Sequence, residues 1–197
     1  LHKLGKNFEA IAILKKAVVI DEKNIWYQIL LAECYKDLKQ YSNEVGVYQK
    51  LLKNNPEKID LYYDLAIAQL YNNQPEEAIK TYDKVEEKIG LSEELCLQKE
   101  RIYEKLKNIN KAAAELQKLI DANPKEPKYY TLLGNLYLDA GQKEKAIESY
   151  EKVLQVDPCN GEVHLALADY YREINQMQKS FDQLKFAFEN PNLDADT

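Results

Sequence analysis

Glycine and proline are scarce, six of each in 197 residues, which argues against folds built from strands and tight turns and excludes an all-β sandwich. Cysteine is scarcer still. Cys34, Cys96 and Cys159 stand far apart in the chain, and with only His2 and His164 beside them no CxxC or HxxxH spacing occurs. Free thiols, no metal and no cofactor are therefore expected. Basic residues do not predominate: 27 Lys and Arg against 33 Asp and Glu leave a net charge of -6 with no basic stripe, so no nucleic-acid partner is expected. Apolar runs such as Ala17-Val18-Val19-Ile20 and Ile29-Leu30-Leu31-Ala32 stop far short of the roughly 20 residues that span a bilayer, so no membrane insertion of this segment is expected. GxSxG, GxGxxG and Walker-type GxxxxGK[ST] motifs are missing. His164 reads as a packed residue rather than a general base, and the cysteines as small core residues. The residues point away from an enzyme.

What the chain does have is a period. Leu14, Tyr48, Tyr82, Leu116, Tyr150 and Leu184 recur at one constant interval of about 34 residues. Ala10, Glu44, Ala78, Ala112, Ala146 and Ser180 keep the same spacing and are mostly small, as close helix approach requires. Tyr35, Tyr103, Tyr137 and Tyr171 form an aromatic column with Gln69 as its exception, and Pro56, Gly90, Pro124 and Pro158 punctuate the unit ends. Self-similarity at such a period is the mark of a repeat architecture.

The spacing predicts one array over 1–194: a partial unit over 1–24, full units over 25–58, 59–92, 93–126, 127–160 and 161–194, and a tail over 195–197. Within each unit, apolar residues recur at three- and four-residue spacing in two stretches, separated by a polar break such as Ala140-Gly141-Gln142 or Asn72-Asn73-Gln74. Each unit is thus a helical hairpin. Gly5 and Gly141 suit left-handed caps, while Asn73, followed by Pro75 and Glu76-Glu77, suits a helix start. A hairpin of this size cannot bury its apolar faces alone, so the units stack into a solenoid.

These columns resemble the tetratricopeptide repeat (TPR). The fullest copy runs Tyr130, Leu133-Gly134, Tyr137, Ala146, Tyr150 and Pro158. The unit starting at Ile25 supplies Leu31-Ala32, Tyr35, Tyr48 and Pro56, the next Tyr62, Leu65-Ala66, Ala78 and Tyr82, and the last Leu167-Ala168, Tyr171 and Leu184, with its proline one place early at Pro191. The resemblance implies an all-α fold: a right-handed α-solenoid superhelix of five full TPR hairpins plus the second helix of a truncated first repeat. It also implies that the first helix of each hairpin lines a concave groove through the second, fifth, ninth, twelfth and thirteenth places of the unit. In the Ile25 unit those places hold Trp26, Ile29 and Glu33, then Lys36 and Asp37. In the Ile59 unit they hold Asp60, Tyr63, Ile67, Leu70 and Tyr71. Further along, Arg101 and Asn135 stand at groove places in a more charged stretch. Trp26, Ile29, Glu33, Tyr63, Ile67, Leu70, Tyr71, Arg101 and Asn135 are accordingly the candidate partner-binding residues, for a protein or peptide ligand. The Lys-Asn pair of a chaperone carboxylate clamp finds no match at the fifth and ninth places, so no such clamp is expected.

The weakest copy starts at Glu93, where Lys99-Glu100 replace the Leu-Gly pair. There Lys99 is expected to snorkel over apolar neighbours, and Glu100 to splay the hairpin or turn outward. Both ends look cut, with Ile11, Leu14 and Val18 short of a packing partner at one and Phe181, Phe186 and Phe188 crowding the other. An excerpt of a longer protein is expected, with a possible end-to-end homo-dimer. The function that follows is a non-catalytic protein-interaction scaffold. The alternatives are an assembly module that self-associates through its helical ends, or the regulatory arm of a larger enzyme.

Overall fold

A computed structural model describes residues 6–188. Expectations that fall on His2, on Gly5 as a cap, on Pro191 and on the tail lie outside those residues. The described chain is eleven α-helices and no strand: α1 (Asn7–Ile20), α2 (Ile25–Asp37), α3 (Tyr41–Asn54), α4 (Ile59–Tyr71), α5 (Pro75–Ile89), α6 (Glu93–Lys105), α7 (Ile109–Ala122), α8 (Pro127–Asp139), α9 (Lys143–Val156), α10 (Gly161–Glu173) and α11 (Met177–Phe188). The first helices α2, α4, α6, α8 and α10 begin at the constant interval of the sequence repeat.

Within hairpins the turn is the same each time. Lys39, Asn73, Lys107, Gly141 and Asn175, which keep that interval, all have positive φ, between 56° and 72°. The following amide reaches back to the carbonyl five residues earlier, as in Gln74 N to Gln69 O and Gln142 N to Tyr137 O, both at 2.8 Å. This is the Schellman closure of a helix C-terminus. Asn73 therefore ends α4 rather than starting α5: its short side chain tolerates the left-handed region, and Gln74 takes the N-cap place ahead of Pro75. Only one of the five turn positions is glycine, so the bonding pattern, more than the residue, fixes the turn.

Between hairpins a second local clasp recurs. Gln28, Tyr62, Tyr130 and His164, all at the fourth place of a unit, bond the carbonyl six residues earlier, at 3.0, 3.1, 3.2 and 3.0 Å. A carbonyl can only accept, so His164 donates from Nε2, and its Nδ1 lies 2.7 Å from the Gln183 side chain. His164 is buried and packed, stacked on Phe186.

By compactness the chain divides into two units, Leu1–Leu95 and Cys96–Thr197. In the first, Ala10, Ile11, Leu14, Leu31, Cys34 and Tyr35 form one core cluster. In the second, Ala146, Tyr150, Val153, Val163 and Leu167 form one, and Ala112, Ala113, Leu116 and Leu136 another. Leu51, Tyr82, Val85, Leu116 and Val153, all from the second helices, are almost wholly buried, each worth roughly 1.5–3 kcal/mol as a large apolar side chain removed from water. The aromatic column carries lysines: Lys111, Lys145 and Lys179 lie over Tyr103, Tyr137 and Tyr171, within 5.4 Å of the ring centres. At the exception, Gln69, the lysine place holds Glu77, and the buried Gln69 amide oxygen instead accepts from Thr81 Oγ1 at 2.7 Å.

Candidate partner-binding site

In the first unit, Trp26, Ile29 and Glu33 share one face of α2, and Tyr63, Ile67, Leu70 and Tyr71 one face of α4, by their three- and four-residue spacing. Trp26 is 72% exposed, Tyr71 56% and Ile67 40%, values a hairpin core would not leave on side chains of this size. Glu33 is exposed, while Ile29, Tyr63 and Leu70 are half-buried. Two of these side chains also pack internally. Tyr63 tilts against Tyr82 of α5 with ring centres 5.9 Å apart, and Tyr71 stacks on Tyr41 at the start of α3 at 5.3 Å. Tyr63 is thus a rigid ledge rather than a loose side chain. Burial, with Glu94 and Asp60 near, pushes its hydroxyl up.

On α3, the helix that joins α2 to α4 in the chain, stands a group that the sequence marks without explaining. Glu44 of α3 stands in the column of small residues and is only 3% exposed, and its Oε2 has no hydrogen-bond partner. Burial pushes its carboxyl up to about 7, with Lys36 of α2 pulling down and Asp64 of α4 pushing further up. Asp64 is half-buried and is raised by the same cause first, then by Asp60, against Lys36. The Tyr48 hydroxyl is raised too, by burial and by the charges of Asp64, Glu44 and Glu33. Carboxyls from three helices, Glu33 of α2, Glu44 of α3 and Asp60 and Asp64 of α4, thus act on one another or on the Tyr48 hydroxyl.

In the second unit, Arg101 on α6 and Asn135 on α8 are both exposed. Asn135 is engaged: its Oδ1 accepts from the Tyr150 hydroxyl of α9 at 2.6 Å. Lys99 does not snorkel. Its side chain is 3% exposed, with Nζ 3.1 Å from Glu115 Oε1 on α7, and Lys118 lies 3.1 Å from the other carboxylate oxygen. A buried ammonium needs a buried counter-charge more than it needs water at its tip, and Glu115, 7% exposed, provides one. Glu100 stays half-buried, its carboxyl raised by burial and by Glu104, against Arg101. An open hollow of about 660 Å³ on this unit, with Tyr130, Lys145, Glu148 and Lys152 in its wall, is not legible in the sequence as a site, because its residues come from three helices and those in the repeat columns, such as Tyr130, read there as packing residues. Cys34 and Cys96 are buried thiols, whereas Cys159, in the turn after Pro158, is exposed rather than in the core. Among the described residues no helix is long and apolar enough to cross a membrane.

Hairpins of constant period, small residues where the paired helices close up, and an exposed apolar face on the first helices define a helical-repeat protein. The sequence profile of the tetratricopeptide repeat matches residues 1–191, and the chain belongs to that family. BBSome complex member BBS4 of Bos taurus is 24% identical over 189 residues, covering 93% of this chain and 36% of the relative. Protein O-mannosyl-transferase TMTC1 of Homo sapiens is 30% identical over 168 residues, covering 80% and 18%. The chain thus spans about a third or less of the length of these relatives. Among solved structures, MamA superposes with a TM-score of 0.57 at 21% identity, covering 81% of this chain and 94% of that one. YrrB, described as a TPR protein with an unusual peptide-binding site, superposes with a TM-score of 0.54 at 16% identity, covering 90% and 92%. These likenesses show the fold, an α-solenoid of helical hairpins. Fold and family together are those of a protein-interaction scaffold.

Proposed function

We propose that the chain is a non-catalytic scaffold that holds a peptide or a helical segment of a partner protein against α2 and α4. Trp26, Ile29, Tyr63, Ile67, Leu70 and Tyr71 supply the apolar contact and Glu33 a charged rim. The observation that carries this reading is the exposure of Trp26, Ile67 and Tyr71 on the first helices of neighbouring hairpins. Trp and Tyr are favoured interface anchors, where about 2 kcal/mol or more rides on one side chain. The fold shared with YrrB supports the reading, since that protein has a peptide-binding site. Arg101 and Asn135, at the corresponding places of the second unit, are candidate contacts there, Asn135 as an amide whose oxygen Tyr150 already fixes. An affinity capture from the native organism's lysate, comparing the chain with a Tyr63→Glu/Ile67→Glu variant of equal helicity, tests this. A protein retained by the first and lost by the second supports the groove, and identical retention by both refutes it.

A second reading, self-association through the helical ends, is favoured by Phe8 on α1 and by Phe181, Phe186 and Phe188 on α11, all more than half exposed. Mass that rises with concentration, and falls back with Phe181→Glu but not with the groove variant, would support it.

A further inference from the structure

We infer that the partner segment taken by the α2–α4 face is basic as well as apolar, with a Lys or Arg side chain seated over Asp64 and Glu33, above the buried carboxyl of Glu44. The inference rests on the groove reading above and adds to it the chemistry of the partner. Its first ground is the column that Glu44 occupies. The equivalent residues of the later hairpins are Ala78, Ala112, Ala146 and Ser180, so hairpin closure does not call for a carboxylate there. A carboxylate at that place, buried and with one oxygen lacking any hydrogen-bond donor, is a local cost without a local return.

The second ground is charge. The charged groups that act on Glu44 and Asp64, besides Asp64 on Glu44 itself, are Glu33 and Lys36 from α2 and Asp60 from α4, and Asp64, Glu44 and Glu33 in turn raise the Tyr48 hydroxyl of α3. Lys36 is the one base among them, so the spot is acidic. The second unit shows how such a spot is reached: Tyr150, the equivalent of Tyr48, extends its hydroxyl to Asn135, the equivalent of Glu33. The same reach brings Tyr48 towards Glu33, in keeping with the upward push that Glu33 exerts on the Tyr48 hydroxyl. A guanidinium or ammonium arriving over Asp64 supplies the missing positive charge, while an acidic partner meets like charges. Ile29, four residues before Glu33 on α2, and Ile67, three residues after Asp64 on α4, put apolar side chains on the same helix faces, so the basic residue belongs within an apolar segment.

The test is a displayed random-peptide library panned on the whole chain, with recovered peptides synthesised and titrated by Trp26 fluorescence. Peptides are expected to carry Lys or Arg among apolar residues, to lose binding to Tyr63→Glu/Ile67→Glu, and to bind Asp64→Asn about tenfold or more weakly. Glu44→Ala installs the residue that three later hairpins carry at this place, which keeps the fold; it is expected to bind several-fold more weakly. Because a cation favours the ionised carboxyl, affinity should rise from about pH 6 to about pH 8 in the parent and rise less in Glu44→Ala, and an equal rise in both would overturn the part given to Glu44. Groove-dependent peptides that are neutral or acidic, or that bind Asp64→Asn unchanged, would overturn the basic partner and leave the groove standing. Recovery of no peptide that depends on Tyr63 and Ile67 would overturn both.

Discussion

Lys99 and Glu115 form a buried ion pair across α6 and α7, with Nζ 3.1 Å from Oε1. The two stand where the first full hairpin has Leu31 and Val47, so one hairpin closes on charge where its sibling closes on hydrocarbon. Removing one partner of a buried pair strands the other, at about 3–5 kcal/mol, whereas replacing both with well-packed apolar groups is near neutral or stabilising. Lys99→Leu leaves the buried Glu115 paired to the partly exposed Lys118, so it should lower unfolding stability by up to about 3 kcal/mol in urea titrations, and Lys99→Leu/Glu115→Val should restore most of the loss. An additive double variant would mean that the two do not act as a pair.

Close approach at Gly134 gives the second prediction. A Cβ built there would lie 2.6 Å from Cδ1 of the Tyr150 ring, inside van der Waals contact. That ring is fixed by its hydroxyl bond to Asn135 and cannot swing away freely. Gly134→Leu should cost about 1–3 kcal/mol as overpacking. Glu100→Leu, at the same place one unit earlier, removes a half-buried carboxyl and should cost less or stabilise. Thermal unfolding followed by helicity decides between them.

Stability should fall as pH rises. Glu44 holds its proton in the folded chain up to about 7, whereas the unfolded chain releases it near the ordinary value of about 4.5. Between those values the folded state binds more protons, so each step up in pH favours unfolding, and above about 7 the effect is complete. It amounts to about 3 kcal/mol at most. Asp64 and Glu100 are shifted the same way and add to the slope. The contribution of Glu44 is therefore the difference between the parent and Glu44→Ala, whose urea midpoint should vary less with pH over that window. Parallel curves would show that Glu44 ionises normally.

The left-handed turns can be improved. Lys107 holds φ 56° with a Cβ in place, where Gly141 holds φ 72° without one. Lys107→Gly should stabilise by about 1 kcal/mol and Gly141→Ala should destabilise by a similar amount. Urea midpoints that move the other way would mean that the chain entropy added by glycine outweighs the relief of strain.

The repeat is legible because it is written in side-chain size. Columns of Ala, Tyr and Leu at constant spacing give the helices, their pairing and the buried faces, and the first helices begin at the residues where the spacing starts each unit. Asn73 reads wrongly as a helix start because Asn favours both an N-cap and a left-handed stop, and only the bond from Gln74 N to Gln69 O tells them apart. Lys99 is legible as an exception, but its partner is not. Glu115 lies on the next helix, whose other acid is Asp121, and selecting it takes the facing of α6 against α7. Glu44 is visible in its column as well, yet a lone acid in a list of alanines does not disclose that it is buried with one oxygen unbonded, or that Lys36 and Asp64 act on it.

The clasp by which Gln28, Tyr62, Tyr130 and His164 each hold a carbonyl six residues back has a consequence for synthesis. Together with the five-residue closures inside the hairpins, it lets a repeat become self-consistent soon after its own residues leave the ribosome, without waiting for distant chain. In the unit that starts at Glu93 the clasping place holds Cys96, which is buried in a cluster with Leu119, Ile120 and Tyr129, so ordering there draws on packing against α7 and α8 once those helices have arrived.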